Sequence, residues 1–411
     1  MSIRHCTCLA ACLAACVTFL DPLAGEEVTS ECPLARAYSR LLARFPADRP
    51  GYGLDGYQSV TDDQPMTYGY YLSAESLRAR YEKAQGNAAA YADAKTHVRT
   101  AAGWLVENRD LDRDGKPGWG LPQEWDAWAD GTVNPPHQPY TITTAIVLTG
   151  LLDALQVPEA FDEGERKRII AVVREVILRW CNEVWSDGYG GGYFWYSPSK
   201  ADEIFGVNAP AMFLTPMIGL LAEQSEALSA EERRLVQARV DALAAAIVDT
   251  VVLREGEPFW KYAPVPNRLN HDRPNDLVHH VYTLFGIERY RETDGGTVEI
   301  PWTREAAVAS VDRFLAWSED ENPEPSRILE LPESDVPGAR GARLWGAGAM
   351  LGFYGYAGAD AKARQVFGLI AKDYGPFPEL SWVPSVSGKS IPSYLRHDAH
   401  VLHGLALVLF R

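Results

Sequence analysis

The stretch "YTITTAIVLTGLLDAL" (140–155) has no polar face. Wound as a helix, it spreads Ile142, Ala145, Ile146, Val147, Leu148, Leu151 and Leu152 around the whole circle. A helix that is apolar all round is buried on every side. This one falls short of the roughly 20 apolar residues that span a bilayer, so it predicts a helix enclosed by protein. Five further segments share its character: "YGYYLSAESLRARY" (68–81), "NAPAMFLTPMIGLLAE" (208–223), "DLVHHVYTLFGIERY" (276–290), "RLWGAGAMLGFYGYA" (343–357) and "RHDAHVLHGLALVLF" (396–410). The first five of the six begin at intervals of roughly 65–70 residues and the last interval is shorter, the mark of a repeated supersecondary unit.

A second set of helices interleaves with the first, and these are amphipathic. They read 32–45, 92–108, 163–185, 229–252, 303–317 and 360–374. In the third, Ile169, Val173, Val176, Ile177, Trp180 and Val184 form one stripe at helical spacing. Ser229 with Glu232 has the form of a capping box, and Thr303 is an N-cap ahead of Ala306. Six enclosed helices alternating with six half-buried ones predict a closed ring of six hairpins, one helix of each inside and one outside. Strand signals are short and confined to connections, such as "GGYFWYS" and "GGTVEI". No linker of shifted composition divides the chain, so 30–411 is predicted to be one catalytic domain.

This alternation resembles the (α/α)6 toroid, or six-hairpin, superfamily of carbohydrate-active enzymes. The resemblance covers nearly the whole chain after the leader and rests on periodicity and loop character. It implies an all-α (α/α)6 toroid. Such toroids include glycoside hydrolases, uronate-specific polysaccharide lyases and glucuronyl C5-epimerases, and a weaker resemblance points to the lyase and epimerase branch. The same ring serves other reactions, so the fold alone does not fix the chemistry.

If the inner helices run in one direction, the segments that lead into them gather at one mouth. Those segments are long, broken by Gly and Pro, and rich in Trp, Tyr, Asp and His, as in "GWGLPQEWDAWADGTVNPPHQPY" (118–140). Indole and phenol faces stack on the apolar faces of sugar rings, with sparse polar groups to orient them. Tyr57, Tyr70, Trp119, Trp125, Trp128, Trp195, Trp260, Trp345 and Trp382 are the candidate stacking residues, with Arg343, Arg396 and His400 as polar ligands. The alternative for each aromatic is a plug in the top of the ring.

Titratable groups cluster where the inner helices start. Glu124 and Asp126 precede Tyr140, Asp276 is followed by His279 and His280, and His397 and Asp398 open the last helix. Two carboxylates among Glu124, Asp126, Asp276 and Asp398 would serve glycoside hydrolysis, one as acid and one to activate water. That is the reading taken here: an extracytoplasmic enzyme that hydrolyses glycosidic bonds of a poly- or oligosaccharide. A second reading gives Tyr140, His279, His280 or His397 the C5 proton of a uronate, with Arg343 or Arg396 neutralising its carboxylate. A third lets His279, His280, His397 and His400 bind a metal, although no HExxH or matching Cys set is present. A non-catalytic glycan-binding lipoprotein would keep the aromatics and dispense with the acids. A terpene- or prenyl-type ring would want an apolar cavity, which the polar first turns argue against.

"DLDRDGKPGWG" sets Asp110, Asp112 and Asp114 at positions 1, 3 and 5 of an EF-hand-like loop, with Gly115 at position 6 and the Lys116 carbonyl as a fourth ligand. Leu121 stands where the bidentate Glu belongs, so Glu124 or a more distant carboxylate would replace it. Structural calcium is the one cofactor expected, and no organic cofactor is.

The remaining composition bounds partners and compartment. The chain has 411 residues, with a formal net charge of −16. So acidic a surface disfavours nucleic acid and anionic membranes. Residues 1–25 read as a secretory leader, cut near Ala24 or Gly25, or as a lipoprotein leader in which Leu13–Cys16 is the lipobox and Cys16 the lipidated residue. Four of the six cysteines lie in this leader; Cys32 and Cys181 remain, with Cys181 expected as a buried thiol.

Overall fold

The computed structural model describes residues 32–56, 59–188, 191–264, 273–318, 323–384 and 391–411. The leader and Cys16 lie outside these residues, as does Tyr57. Numbered in chain order, the outer helices are α1 (Pro33–Leu42), α3 (Ala88–Glu107), α5 (Glu163–Glu183), α7 (Ala230–Asp249), α9 (Arg304–Asp312) and α11 (Asp360–Asp373). The inner ones are α2 (Pro65–Ala84), α4 (Thr141–Leu155), α6 (Asn208–Glu223), α8 (Leu277–Arg291), α10 (Leu344–Tyr356) and α12 (Leu395–Leu409). Each inner helix packs on the next, and α12 packs on α2 to close the ring. The expected all-α toroid is what forms, around one contiguous core from Leu34 to Phe410.

Burial divides the two sets as their patterns require. In α4 nearly every residue is buried, polar Thr141, Thr143 and Thr144 included. In α5 burial is confined to one side, through Ile169, Val172, Val173, Val176, Ile177, Trp180 and Cys181, with Arg179 beside them. Each such Leu, Ile or Val contributes about 1.5–3 kcal/mol when fully enclosed. The inner helices approach closely through glycine. A Cβ on Gly286 would lie 1.7 Å from the Ala211 carbonyl oxygen, and one on Gly404 would lie 2.6 Å from that of Gly348. Any side chain at these two positions would force α8 off α6, or α12 off α10.

Helix starts follow local chemistry. Ser229 and Glu232 exchange the two bonds of a capping box, and the Thr303 hydroxyl accepts the Ala306 N–H. Asp162 and Glu165 form a second box. The strands are four two-stranded antiparallel hairpins: β1 (Gly53–Leu54) with β2 (Val60–Thr61), β3 (Trp185–Ser186) with β4 (Tyr193–Phe194), β5 (Val252–Arg254) with β6 (Glu257–Phe259), and β7 (Leu315–Trp317) with β8 (Pro325–Ile328). Each sits in a segment running from an outer to an inner helix, so all four stand on the mouth side.

Two expectations are corrected. The helix expected over 303–317 stops at Asp312, because Leu315–Trp317 leaves it to pair with β8. "GGTVEI" forms no strand; it has no partner strand and is tied back by the Val298 N–H on the Tyr290 hydroxyl. Among the described residues no helix is long and apolar enough to cross a membrane.

Candidate active site

Six inner helices open at one mouth, so six positive dipole ends converge there, and mouth segments cap several of their first N–H groups, as the Tyr196, Glu330 and Trp382 carbonyls do for Thr141, Leu277 and Leu344. Into this field α8 and α12 each place an imidazole at the third helical position. In α8, Asp276 is the N-cap. Its Oδ1 accepts the backbone N–H of His279 at 3.3 Å and the ring Nδ1–H of the same residue at 2.5 Å. Burial would raise the Asp276 carboxyl, but His279, Arg343 and Arg273 together outweigh it and hold the pKa at about 2. With the carboxylate ionised, Nδ1 carries the proton, and Nε2 has no partner among the described residues.

His397 is its counterpart on α12. It is wholly buried, and neither ring nitrogen has a partner among the described residues. Burial lowers its pKa well below the usual imidazole range, and Arg396, His400 and Arg343 push the same way. It is neutral, with one N–H and one lone pair to offer. Its ring stacks on Trp345 of α10 with centroids 5.1 Å apart, and lies 4.1 Å from Tyr394 and 6.1 Å from Trp382. Trp345 also meets His279 edge-on at 6.1 Å. One indole therefore sits between the two imidazoles.

Two guanidiniums lie against the same indole, Arg396 at 5.0 Å and Arg343 at 5.2 Å. Their surroundings differ. Arg343 is held by Glu330, with Nε–Oε1 and Nη2–Oε1 distances of 2.6 Å, and lies 3.7 Å from Asp276. Arg396 is buried, with no hydrogen bond or ion pair from its side chain among the described residues. It lines a small cleft with Asp55, Gln64, Thr67 and Gln123. Trp345 Nε1 and Gln64 Nε2 are likewise unpartnered donors. The mouth thus presents N–H groups awaiting acceptors.

Aromatic rings continue around the rim. Trp128 packs on Tyr196 and Tyr262, the Tyr196 and Tyr262 hydroxyls meet at 3.3 Å, and Tyr262 meets His279 at 4.9 Å. Trp125, Trp195 and Trp382 are half-buried on the mouth loops. Beneath them His400 donates Nδ1–H to the Arg396 carbonyl at 2.7 Å, so its Nε2 accepts from the Tyr282 hydroxyl at 2.5 Å. Tyr282 is paired in turn with Tyr70, whose ring faces His400 and His403. Both His400 nitrogens are used inside the protein, so His400 and Tyr70 form the floor of the mouth rather than its ligands.

Several candidate residues stand elsewhere. Asp398 follows His397 but points out of the ring, to Arg44 at 2.5 Å and the Ser393 hydroxyl at 2.5 Å. His280 lies between α8 and α9, bonded to Ser310 and enclosed by Phe259, Trp260 and Phe314. Trp119 and Trp260 are core residues whose indole N–H groups end on the Leu105 and Ile247 carbonyls. The Tyr140 hydroxyl is engaged with Asn134 and the Trp125 carbonyl. Asp126 closes its own turn through the N–H groups of Trp128, Asp130 and Gly131, and Glu124 is exposed. Cys32 and Cys181 are free thiols, and Cys181 is buried.

Among the described residues one group of carboxylates and imidazoles converges as metal ligands would: Asp110, Asp112 and Asp114, with ligand oxygens within 4.8 Å of one another. His279, His280, His397 and His400 do not form such a group. Burial and the Asp114 and Asp110 carboxylates raise Asp112 to about 6, and an oxygen of Asp110 and one of Asp112 are enclosed without a partner. Lys116 folds its N–H onto Asp114 at 2.8 Å, and Glu124 is outside the group.

Tyr282 was legible as the residue one turn below His279 on the same face. Tyr196 and Tyr262 lie in the Tyr- and Trp-rich segments expected at the mouth, although neither is singled out by its spacing. Glu330 carries no signal, because it reaches the mouth from a connecting segment whose path only the folded chain sets.

No family model and no curated protein matches the sequence. Solved structures match over most of the chain. A cellobiose 2-epimerase from Bacillus thermoamylovorans B4167 superposes with a TM-score of 0.56 at 11% identity, over 90% of this chain and 95% of that one. An inactive variant of an α-1,6-mannanase of Salegentibacter sp. HEL1_6, in complex with α-1,6-mannotetrose, gives 0.54 at 10% identity, over 92% and 99%. A D-mannose isomerase gives 0.53 at 13% identity, over 92% and 97%. All three are (α/α)6 toroid carbohydrate-active enzymes, and this chain has their fold.

Proposed function

We propose that this carbohydrate-processing toroid moves a proton at the carbon next to a sugar's carbonyl group, as a 2-epimerase or aldose–ketose isomerase. The observation that carries this reading is the pair His279 and His397 on either side of Trp345, one braced by Asp276 and one neutral with neither nitrogen partnered among the described residues. His397 takes the proton from the carbon; the C–H electrons form the enediolate double bond, and the carbonyl oxygen gains the charge. Arg396 and the helix N-termini stabilise that oxygen. His279, braced by Asp276, returns a proton to the opposite face of the same carbon in epimerisation; in isomerisation the O2 proton passes to O1, C2 becomes the carbonyl carbon and the proton goes to C1. Two of the matching structures carry sugar epimerisation and isomerisation on this ring, which supports the reading.

Hydrolysis needs two carboxyl groups flanking one bond. Of the four candidate carboxylates, Asp276 is bound to His279, Asp398 to Arg44 and Asp126 to its own loop, and Glu124 is exposed. A second reading uses the same imidazoles on the C5 proton of a uronate, and the unpaired Arg396 favours it as partner for the carboxylate. The test is incubation in D2O with neutral aldoses, oligosaccharides and uronate polymers, followed by NMR. Deuterium at C2 with a new epimer or ketose supports the first reading and deuterium at C5 the second. New reducing ends without exchange would return the protein to the hydrolases.

We also propose a structural calcium ion at Asp110, Asp112 and Asp114, where the enclosed oxygens of Asp110 and Asp112 fit a hard cation, and export directed by residues 1–25. A rise in Tm with calcium, lost in Asp112→Asn, checks the first. The N-terminal residue of the mature protein checks the second.

A further inference from the structure

We propose that Glu330 is the positioning residue of the mouth: it clamps the starts of α8 and α10 together, fixes Arg343 beside Asp276, and so leaves Arg396 as the cation available to substrate. This rests on the reading of His279 and His397 as the proton-transfer pair.

Glu330 is 4% exposed, though it comes from a connecting segment. Its carboxylate takes the Arg343 backbone N–H at 2.9 Å as well as the guanidinium. Its own carbonyl accepts the N–H of Leu277, the first residue of α8, at 3.0 Å. One residue therefore satisfies an orphan N–H at each of two adjacent inner helices and neutralises the cation between them. The chain of contacts runs Glu330, Arg343, Asp276, His279. Without Glu330, the Arg343 charge would be uncompensated 3.7 Å from the carboxylate that braces His279. Arg343 would then compete with His279 for Asp276.

Among the described residues, the charged and titratable groups around His279 come from four elements. Asp276 and Tyr282 lie on its own helix, and Tyr262 and Arg273 come from the segment before it. Arg343 reaches in from α10, and Arg396 and His397 lie beyond Trp345 on α12.

The experiment compares wild type, Glu330→Gln and the double variant Glu330→Gln/Arg343→Met. Two pH profiles are read. One is the exchange rate as kcat/KM; the other is carbethoxylation of His279 by diethyl pyrocarbonate, mapped by mass spectrometry, which needs no sugar. In Glu330→Gln the His279 limb of each profile (the acid limb for carbethoxylation, which needs the free imidazole, and the alkaline limb for kcat/KM, where His279 must give a proton) moves to lower pH by about half a unit or more, because an unbalanced cation disfavours the imidazolium. In the double variant the limb returns toward wild type. A merely structural Glu330 would lower Tm and leave the limb in place in both variants, and that result overturns the proposal. If no sugar undergoes exchange in wild type but the carbethoxylation profiles shift and return as expected, the proton-transfer reading fails and the positioning role stands.

Discussion

The first turns of α8 and α12 each hold an Asp and a His, yet they build opposite things. In α8 the Asp comes three residues before the His, as the N-cap, and both point to the mouth. In α12 the Asp comes directly after the His. One residue along a helix is about 100° of rotation, and this swings Asp398 out to Arg44 and Ser393 behind the ring. His397 is left without an acid and neutral, whereas His279 has one. Helical phase, not composition, decides which imidazole is braced.

The largest effects expected are those that remove either imidazole. His279→Gln and His397→Gln should each lower sugar-dependent deuterium exchange by about 10²–10⁴-fold with little change in Tm. Retained exchange in either variant would break the pairing of the two helices. Next comes Arg396→Gln, which removes the unpaired charge at the mouth. A loss of about 10²-fold in kcat is expected from one missing charge-stabilising donor, against a minor change for a surface arginine such as Arg168. Then the two acids are set against each other. Asp276→Asn should cost about 10–100-fold in exchange rate through the lost brace. Asp398→Asn should leave the rate per folded molecule unchanged.

The smallest effect is on stability and sharpens the contrast further. Burial holds His280 and His400 at about 3 and His403 at about 4. Unfolded, each takes a proton below about pH 6.5. The unfolded chain then binds more protons, so these groups cost stability as pH falls from about 6.5 toward 4. Asp398 acts in the opposite sense. Burial outweighs Arg44 and Ser393 and pushes it up to about 7. The folded chain keeps that proton between about pH 4 and 7 while the unfolded chain does not, so this group costs stability as pH rises through the window. Three imidazoles outweigh one carboxyl, and Tm should drop on acidification. Asp398→Asn should steepen the drop, and an unchanged slope would mean that Asp398 is ionised throughout.

The ring itself was legible. Six segments with no polar face and six with one permit little but an enclosed set inside a half-buried set, and the caps at Ser229 and Thr303 stand where the residues put them. The gathering of Asp276, His279, Arg343, Trp345, Arg396 and His397 followed from their place at inner-helix starts. Trp119, Trp260 and His280 were misassigned to the mouth because an indole or imidazole reads alike whether it faces the ring's axis or its wall.

The sequence by itself determined which helices are enclosed and where they begin, because hydrophobic periodicity and capping are local and repeat with every turn. The tertiary structure alone decided that Asp276 braces His279 while Asp398 does not reach His397, that Glu330 claims Arg343, and that Arg396 has no ion pair among the described residues. Those outcomes depend on helix phase within the ring and on the paths of the mouth segments, and both are set only when all six hairpins close on one another.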